Sequence, residues 1–315
     1  MRVLRDHEGT LGPGPLVVAV GVFDGLHRGH QALLRSCLTL ADGAATAVVT
    51  FDPHPAVVLA PDRAPSQLAT LEQRLEGLEV LGVDAVRGVT FSDELARESA
   101  ESFVERVLLA ECAASIVVVG EDFRFGHDRQ GDVSLLRTMG ERHGFVVAPL
   151  AIVGDSHRWS STTVRAALAQ GDLASANDVL GRPFTVRGVV ERGDQRGREL
   201  GYPTANLRLT PRQALPSDGV YAGAARVHGA WRSAAISVGT RPQFYADGSR
   251  LVEVHLPGFA GDLYDQTLDV AFLERLRTMD VFDSLEALVA QMEADTARSV
   301  EIFENFSPRD HQLLG

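Results

Sequence analysis

The 315 residues predict two folds in series. The first is an α/β doubly wound domain over residues 1–181; the second is an antiparallel β domain over 182–315 that ends in a helix. Three observations lead there. Apolar runs of buried-strand length alternate with helical spacings through the first half, which calls for a parallel sheet with helices on both faces. Around residues 180–183, L-G-R-P, helical spacing stops, and short strands with glycine turns follow, the texture of an antiparallel sandwich or small barrel. A chain of this length can also furnish each half with a core of its own.

The organising stretch is residues 17–31, V-V-A-V-G-V-F-D-G-L-H-R-G-H-Q. Its apolar opening, 17–23, reads as a buried strand, Asp24 and Gly25 as a tight turn, and Leu33, Leu34, Cys37, Leu38 and Ala41 as the apolar face of a helix. A helix N-terminus beside the carboxyl end of a strand offers unpaired N–H groups and a positive dipole end, which suits phosphate. His27 and His30, three apart, can face one spot and donate N–H bonds to developing charge. Gly29 between them carries no side chain to keep an anion away. Half a zinc site is the competing reading, but the only cysteines are Cys37 and Cys112, and no third ligand lies close in sequence.

Further along, residues 45–51 read as a second buried strand that runs into Asp52-Pro53-His54-Pro55, where two prolines fix a rigid loop. That loop is either a substrate-facing wall or a plain turn. Residues 68–81 are helix-like, 83–91 form a strand, 99–112 a helix, and 115–120 the most clearly buried strand of all. The last opens into G-E-D-F-R-F-G, residues 120–126, where Asp122 offers a polar edge reader. Phe123 and Phe125 suit either a ring-binding pocket or the core. After a strand over 145–150, Ser160, Ser161 and Thr162 mark a helix N-terminus. Arg165 lies one turn in, where the dipole disfavours a cation, so it is expected to answer a bound anion.

In the second half, strands are expected over 186–190, 219–227, 231–238, 250–256 and 267–273. Residues 193–206, G-D-Q-R-G-R-E-L-G-Y-P-T-A-N, read as a glycine-rich loop. Its Gly193, Gly197 and Gly201 free the backbone, Pro203 stiffens the exit, and Thr204 and Asn206 offer hard oxygens that suit Mg²⁺. Alternation puts Val252 and Val254 on one face and Glu253 with His255 on the other. Asp283 is expected to cap a last helix with Glu286 three on. That helix's inner stripe is Leu285, Leu288, Val289 and Met292, a brace for the strands.

Composition narrows the function. With 45% hydrophobic and 23% charged residues, the chain reads as a soluble globular protein. Its formal charge of −12 speaks against non-specific binding to nucleic acid or an anionic membrane. No secretory h-region opens the chain, and no apolar run nears the ~20 residues that span a bilayer, so a cytoplasmic setting is expected. All 30 basic residues are arginine, which excludes a Walker A lysine and a Schiff-base lysine. Phosphate chemistry must use backbone amides, His, Arg and a metal.

The motifs resemble those of the bacterial bifunctional riboflavin kinase/FMN adenylyltransferase (FAD synthetase) family. The H-x-G-H string is similar to the nucleotidyltransferase signature whose histidines contact ATP phosphates, and G-V-F-D-G-L-H-R-G-H-Q to its FAD synthetase branch. The resemblance implies a Rossmann-like nucleotidyltransferase domain over 1–181 and a six-stranded antiparallel β-barrel kinase domain over 182–315. In the first, Gly21, Phe23, Asp24, Gly25, Gly29, Asp122, Ser160, Ser161 and Thr162 are expected to bind ATP, with His27, His30 and Arg165 catalytic. Pro53, His54, Pro55, Phe123, Phe125 and Arg277 are expected on the flavin side. G-R-E-L-G-Y-P-T-A-N matches the riboflavin kinase signature. Gly193, Gly197, Arg198, Gly201 and Pro203 would then bind ATP, Thr204 and Asn206 Mg²⁺, and Glu253 would be the base.

The sequence departs from the family pattern at Asp122 (often Asn), Gln243 (often Thr) and Asp265 (usually Gly). The implied reactions are phosphorylation of riboflavin by ATP to FMN, then adenylyl transfer from ATP to FMN giving FAD and pyrophosphate. Riboflavin, FMN and ATP are the implied small-molecule partners, and Mg²⁺ the cofactor. Rival expectations are a chain in which only the kinase works, an unrelated nucleotidyltransferase carrying a barrel, and a flavin-binding regulator without turnover. The sequence leaves the oligomeric state open, a homo-oligomer included.

Overall fold

A computed structural model describes residues 1–6, 8–12, 14–151, 159–193, 197, 200–240 and 250–307. By contact the chain divides into two compact units. One comprises Met1–Pro65 and Leu71–Ser160; the other comprises Ser66–Thr70 and everything from Ser161 onward. The second unit therefore starts ahead of residue 182, where the sequence changes texture.

The first unit is a six-stranded parallel sheet in the order β1-β4-β3-β2-β5-β6. Its strands are β1 (Arg2–Leu4), β2 (Leu16–Val20), β3 (Thr46–Asp52), β4 (Ala85–Thr90), β5 (Ala114–Gly120) and β6 (Val146–Leu150). Its helices are α1 (Arg28–Ala41), α2 (Pro55–Leu59), α3 (Leu71–Val80), α4 (Asp93–Ala96), α5 (Ala100–Phe103) and α6 (Val133–His143). The helix expected over 99–112 begins as α5 and continues as a π-helical stretch, Val104–Glu111. The wholly buried strand is β2 rather than β5, three residues of which are only partly covered.

The chain passes from β2 outward to β3 and β4, then crosses to β5 on the other side of β2. The strand order reverses between the carboxyl ends of β2 and β5, the place where open α/β sheets leave a crevice for ligands. Three local expectations shift. The strand expected over 17–23 ends at Val20, because Phe23 and Leu26 adopt φ of 55° and 44° and turn the chain toward α1. Leu33 and Leu38 are only partly covered, while Leu34, Cys37 and Ala41 are buried. The D-P-H-P segment is not all loop, since Pro55 opens α2 and the His54 ring caps it by accepting from Ala56 N at 3.1 Å.

The second unit carries α7 (Ser161–Gln170), α8 (Leu173–Leu180) and a closed antiparallel barrel ordered β10-β11-β8-β7-β12-β9. Its strands are β7 (Phe184–Glu191), β8 (Thr204–Leu209), β9 (Gly219–Val227), β10 (Ala230–Thr240), β11 (Arg250–His255) and β12 (Thr267–Arg277). Five of the six are expected. The sixth, β8, falls where the sequence reads as loop: Thr204 and Asn206 stand on a strand paired on both sides, by β11 and β7.

A final helix, Leu285–Glu304, packs against β9, β10 and β12 as the expected brace. Its start and inner face differ from expectation. Ser284, not Asp283, caps it by accepting from Ala287 N at 3.1 Å. Leu285 is 55% exposed, and the buried positions are Asp295 and Ser299.

Candidate active sites

At the reversal point of the parallel sheet lies a cleft of about 450 Å³. Val20 and Gly21 close it from the end of β2, Gly120, Asp122 and Phe123 from the end of β5, and Leu150 and Ala151 from β6. His27, Gly29, His30, Leu33 and Ser36 line it from the start and exposed flank of α1. The first turn of α1 holds no acidic residue, so nothing on the helix competes with an incoming anion.

The turn that delivers the histidines is tied locally. The Gln31 amide donates to Leu26 O at 2.9 Å, fixing the left-handed residue just ahead of His27. His27 is the N-cap of α1, its Nδ1 accepting from His30 N at 3.4 Å. A ring nitrogen that accepts from an N–H carries no proton. Neutral His27 therefore holds its proton on Nε2, the tautomer that can donate to a phosphate oxygen. His27 and His30 stack with ring centroids 3.7 Å apart, and Phe23 packs against His30 at 5.2 Å. Burial first, and then the His27 ring, push the His30 pKa well below its ordinary 6.5. His30 is therefore neutral at pH 7, and its Nδ1 is shielded from water with no hydrogen-bond partner among the described residues. A Cβ on Gly29 would sit 2.9 Å from Trp159 O and 3.1 Å from the His27 ring. Only glycine fits without displacing the imidazole.

Of the other expected ATP residues in this unit, Gly21, Phe23, Asp122 and Ser160 reach the cleft. Asp24 and Gly25 are buried in the turn beneath it. Phe123 is on the wall, whereas Phe125 is buried in the hydrophobic core, its ring 5.3 Å from Phe123 and 5.8 Å from Phe103. Phe125 therefore supports the wall from behind. Pro53, joined to Asp52 by a cis peptide, stands with His54 and Pro55 at the end of β3, half-buried.

Ser161, Thr162 and Arg165 belong to α7 in the second unit, where Arg165 Nε donates to Ser66 O at 2.5 Å.

The barrel has a cleft of its own, about 550 Å³, lined by Val190, Pro203, Thr204, Val254 and the 259–264 loop, Asp262 and Tyr264 among it. Antiparallel register sets Glu253 opposite Asn206 and His255 opposite Thr204, while Val252, Val254 and Leu207 are buried toward the interior. Directly opposed residues project to one side. The candidate base and both candidate metal ligands thus share the outer face of one ladder.

The preceding loop closes on them. A Cβ at Gly193 would run into the Asn206 amide, and one at Gly197 into the Tyr202 carbonyl. Gly201, at φ +85°, turns the chain into Tyr202. Two neutral hard oxygens beside a cleft suit Mg²⁺ that arrives on nucleotide phosphates better than a resident ion. Among the described residues, no group of three His, Cys, Asp or Glu could hold a metal. Arg198 and Gln243 lie outside the described residues. Arg277, expected on the flavin side, is held by both oxygens of Asp295 (2.9–3.3 Å) and by Asp280 (3.2 Å), which ties β12 to the final helix.

Comparison with known proteins completes the picture. Residues 12–163 match the FAD synthetase family and residues 180–303 the riboflavin kinase family. A bifunctional riboflavin kinase/FMN adenylyltransferase from Pseudomonas fluorescens is 42% identical over 285 residues, 89% of this chain and 91% of that protein. The chain belongs to this bifunctional family. The family member from Escherichia coli K12 is 38% identical over 293 residues, 91% of this chain and 92% of its own length. A crystal structure from Streptococcus pneumoniae, described as a macrolide-efflux protein, superposes with a TM-score of 0.85 at 32% identity, covering 98% of this chain and all of that one. Among the described residues of this chain no helix is long and apolar enough to cross a membrane. Both family domains are present in one chain, so a kinase working alone is not the favoured reading.

Arg74, a buried cation in the FAD synthetase half, belongs to none of the sequence motifs. Its Nη1 donates to Val22 O (2.9 Å), Phe51 O (3.2 Å) and Thr50 Oγ1 (3.3 Å), and its Nη2 to Asp52 Oδ1 (3.2 Å). One guanidinium thus joins the chain just after β2 to the end of β3, the roots of the H-x-G-H and D-P-H-P segments. Burial lowers the Arg74 pKa, opposed by Asp24 and Asp52. An arginine inside an otherwise ordinary helical pattern is the signal that could have found it. Trp159 is another, facing Arg28 at 5.8 Å on the cleft's rim.

Proposed function

We propose that the two units divide the family's two reactions, with the functional boundary near residue 182, and that the residues above carry them. The observation behind this reading is that each unit has its own cleft: His27 and His30 line the first, and Pro203 and Thr204 line the second, with Asn206 and Glu253 on the same ladder but outside that lining. In the barrel, the 5′-hydroxyl of riboflavin's ribityl chain attacks the γ-phosphorus of ATP. Glu253 takes the hydroxyl proton, the P–O bond to ADP breaks, and FMN forms. Thr204 and Asn206 hold Mg²⁺, which when bound neutralises phosphate charge, and Gly193, Gly197, Arg198, Gly201 and Pro203 shape the nucleotide loop.

In the parallel-sheet unit, a phosphate oxygen of FMN attacks the α-phosphorus of ATP, and pyrophosphate leaves. His27 Nε2–H, the His30 ring stacked on it and the N–H groups at the start of α1 donate to the charge that builds there. Pro53, His54, Pro55 and Phe123 keep the flavin side. The setting we assign is the cytoplasm, which suits two buried free cysteines, Cys37 and Cys112.

The test is direct. Purified full-length protein is incubated with riboflavin, ATP and Mg²⁺, and the flavins are separated by chromatography. FMN followed by FAD supports the reading; FMN that accumulates without FAD overturns the adenylyl-transfer half, and unchanged riboflavin overturns the kinase half.

A further inference from the structure

Thr204, Asn206, Glu253 and His255 form two adjacent cross-strand pairs on one face of β8 and β11. Three of them have roles under the reading above; His255 has none. We infer that His255 is a positioning residue for phosphoryl transfer, whose imidazole holds the Tyr202–Pro203 turn so that Thr204 meets the metal–nucleotide squarely. The inference rests on the reading of Thr204 as a metal ligand.

His255 Nδ1 lies 2.9 Å from Pro203 O. A carbonyl oxygen can only accept, so Nδ1 carries the proton in both the neutral and the charged ring. The peptide that ends in Pro203 O is the one that begins Thr204, so this bond fixes the orientation of the plane from which Thr204 departs. Proline has no N–H to share that work and already fixes its own φ. The imidazole also packs 5.3 Å from the Tyr202 ring. Tyr202 is anchored from the other side, its N–H donating to Gly197 O at 2.7 Å. Both residues ahead of Thr204 are therefore held, and His255 supplies one hold on each. Support of this kind behind a metal-facing oxygen is worth roughly 10–100-fold in metal affinity or activity.

The experiment uses the full chain and two substitutions. His255→Phe keeps a ring against Tyr202 and removes the donor; His255→Asn restores an N–H near the Nδ1 position. Mg²⁺ dependence is read from FMN formation. Metal binding is read independently, by electron paramagnetic resonance of Mn²⁺ with ADP. His255→Phe is expected to raise the half-saturating Mg²⁺ concentration and weaken Mn²⁺–ADP binding about tenfold, the lower end of that range. The thermal midpoint and conversion of supplied FMN to FAD should stay unchanged, and His255→Asn should recover most of the loss.

Wild-type metal affinity in His255→Phe, or an Asn variant as impaired as the Phe variant, overturns the inference. Should the Phe variant fail to fold, Asn against Gln decides, since a Gln amide reaches the Nε2 position instead. Asn close to wild type, with Gln impaired, supports the inference, and the reverse overturns it. Thr204→Ala separates the two levels. If Thr204→Ala keeps wild-type metal dependence, the underlying reading of Thr204 fails. If it loses metal affinity while His255→Phe does not, only the inference about His255 falls.

Discussion

Proton placement governs the first cleft at the scale of single residues. The His27 cap leaves Nε2–H as the donor, and the stacked, half-buried His30 stays neutral, so together they present a polar and largely uncharged surface to an anion. His30→Ala should lower adenylyl transfer by ~10²–10³, the loss seen when one preorganised donor is removed, while FMN formation continues at its normal rate. Chromatography of the flavins formed from FMN and from riboflavin checks both halves. Stability should follow pH with a definite sign. Because the folded pKa of His30 is depressed below 6.5, the unfolded chain binds more protons between the two values. Stability therefore rises with pH through that window and is lost as pH falls below 6.5. The thermal midpoint of the wild type should drop on acidification toward pH 5 more steeply than that of His30→Asn; equal slopes count against it. The histidine pair is legible in sequence because three-residue spacing brings side chains together at a helix start. Their tautomers are not, since a cap and a stack decide them. Nor does spacing separate Phe123, on the wall, from Phe125, in the core, because both follow one strand into one loop.

Elements carry the next level. Arg74 on α3 reaches the ends of two neighbouring strands, so the walls of the crevice are registered by one side chain on a helix that lies outside the cleft. Arg74→Met removes the donor that Asp52, Phe51 O and Thr50 Oγ1 share, and leaves Val22 O with Thr50 Oγ1 alone. It should cost roughly 3 kcal/mol, the lower end for a broken buried pair since Asp52 is 47% exposed. Denaturant unfolding measures that, and adenylyl transfer should fall further than riboflavin phosphorylation. Most elements are legible from period alone, with two instructive exceptions. Strand β8, T-A-N-L-R-L, follows Pro203 and contains Asn206, so its local chemistry says turn. Pairing by β7 and β11 overrides that preference. The final helix shows the reverse failing: its apolar residues suggest an inner stripe from Leu285, yet Asp295 is buried where it meets Arg277. A hydrophobic stripe identifies a helix and predicts poorly where an ion pair takes the contact.

For the whole molecule, the absence of lysine shapes both reactions. Under the proposed reading each cleft holds phosphate with backbone amides, histidine, arginine or hard oxygens in place of an ammonium group, in a body of net charge −12. Attraction of polyanions by the protein's overall field is therefore weak, and grip on phosphate has to be local. Local grip allows the two activities to be removed one at a time, which gives the sharpest prediction for the full chain. Glu253 stands opposite Asn206 on the barrel's outer face and is the base proposed above. Glu253→Ala should lower FMN formation by ~10²–10⁴, the usual contribution of a general base. Since each compact unit has its own sheet and core, the same variant supplied with FMN and ATP should yield FAD at the wild-type rate. A mixture of Glu253→Ala and His30→Ala proteins, given riboflavin and ATP, should then regain FAD production through FMN released into solution. Failure of the mixture while each variant keeps its remaining activity would mean that FMN must pass within one chain. Loss of both activities in Glu253→Ala alone would mean that the clefts are not independent.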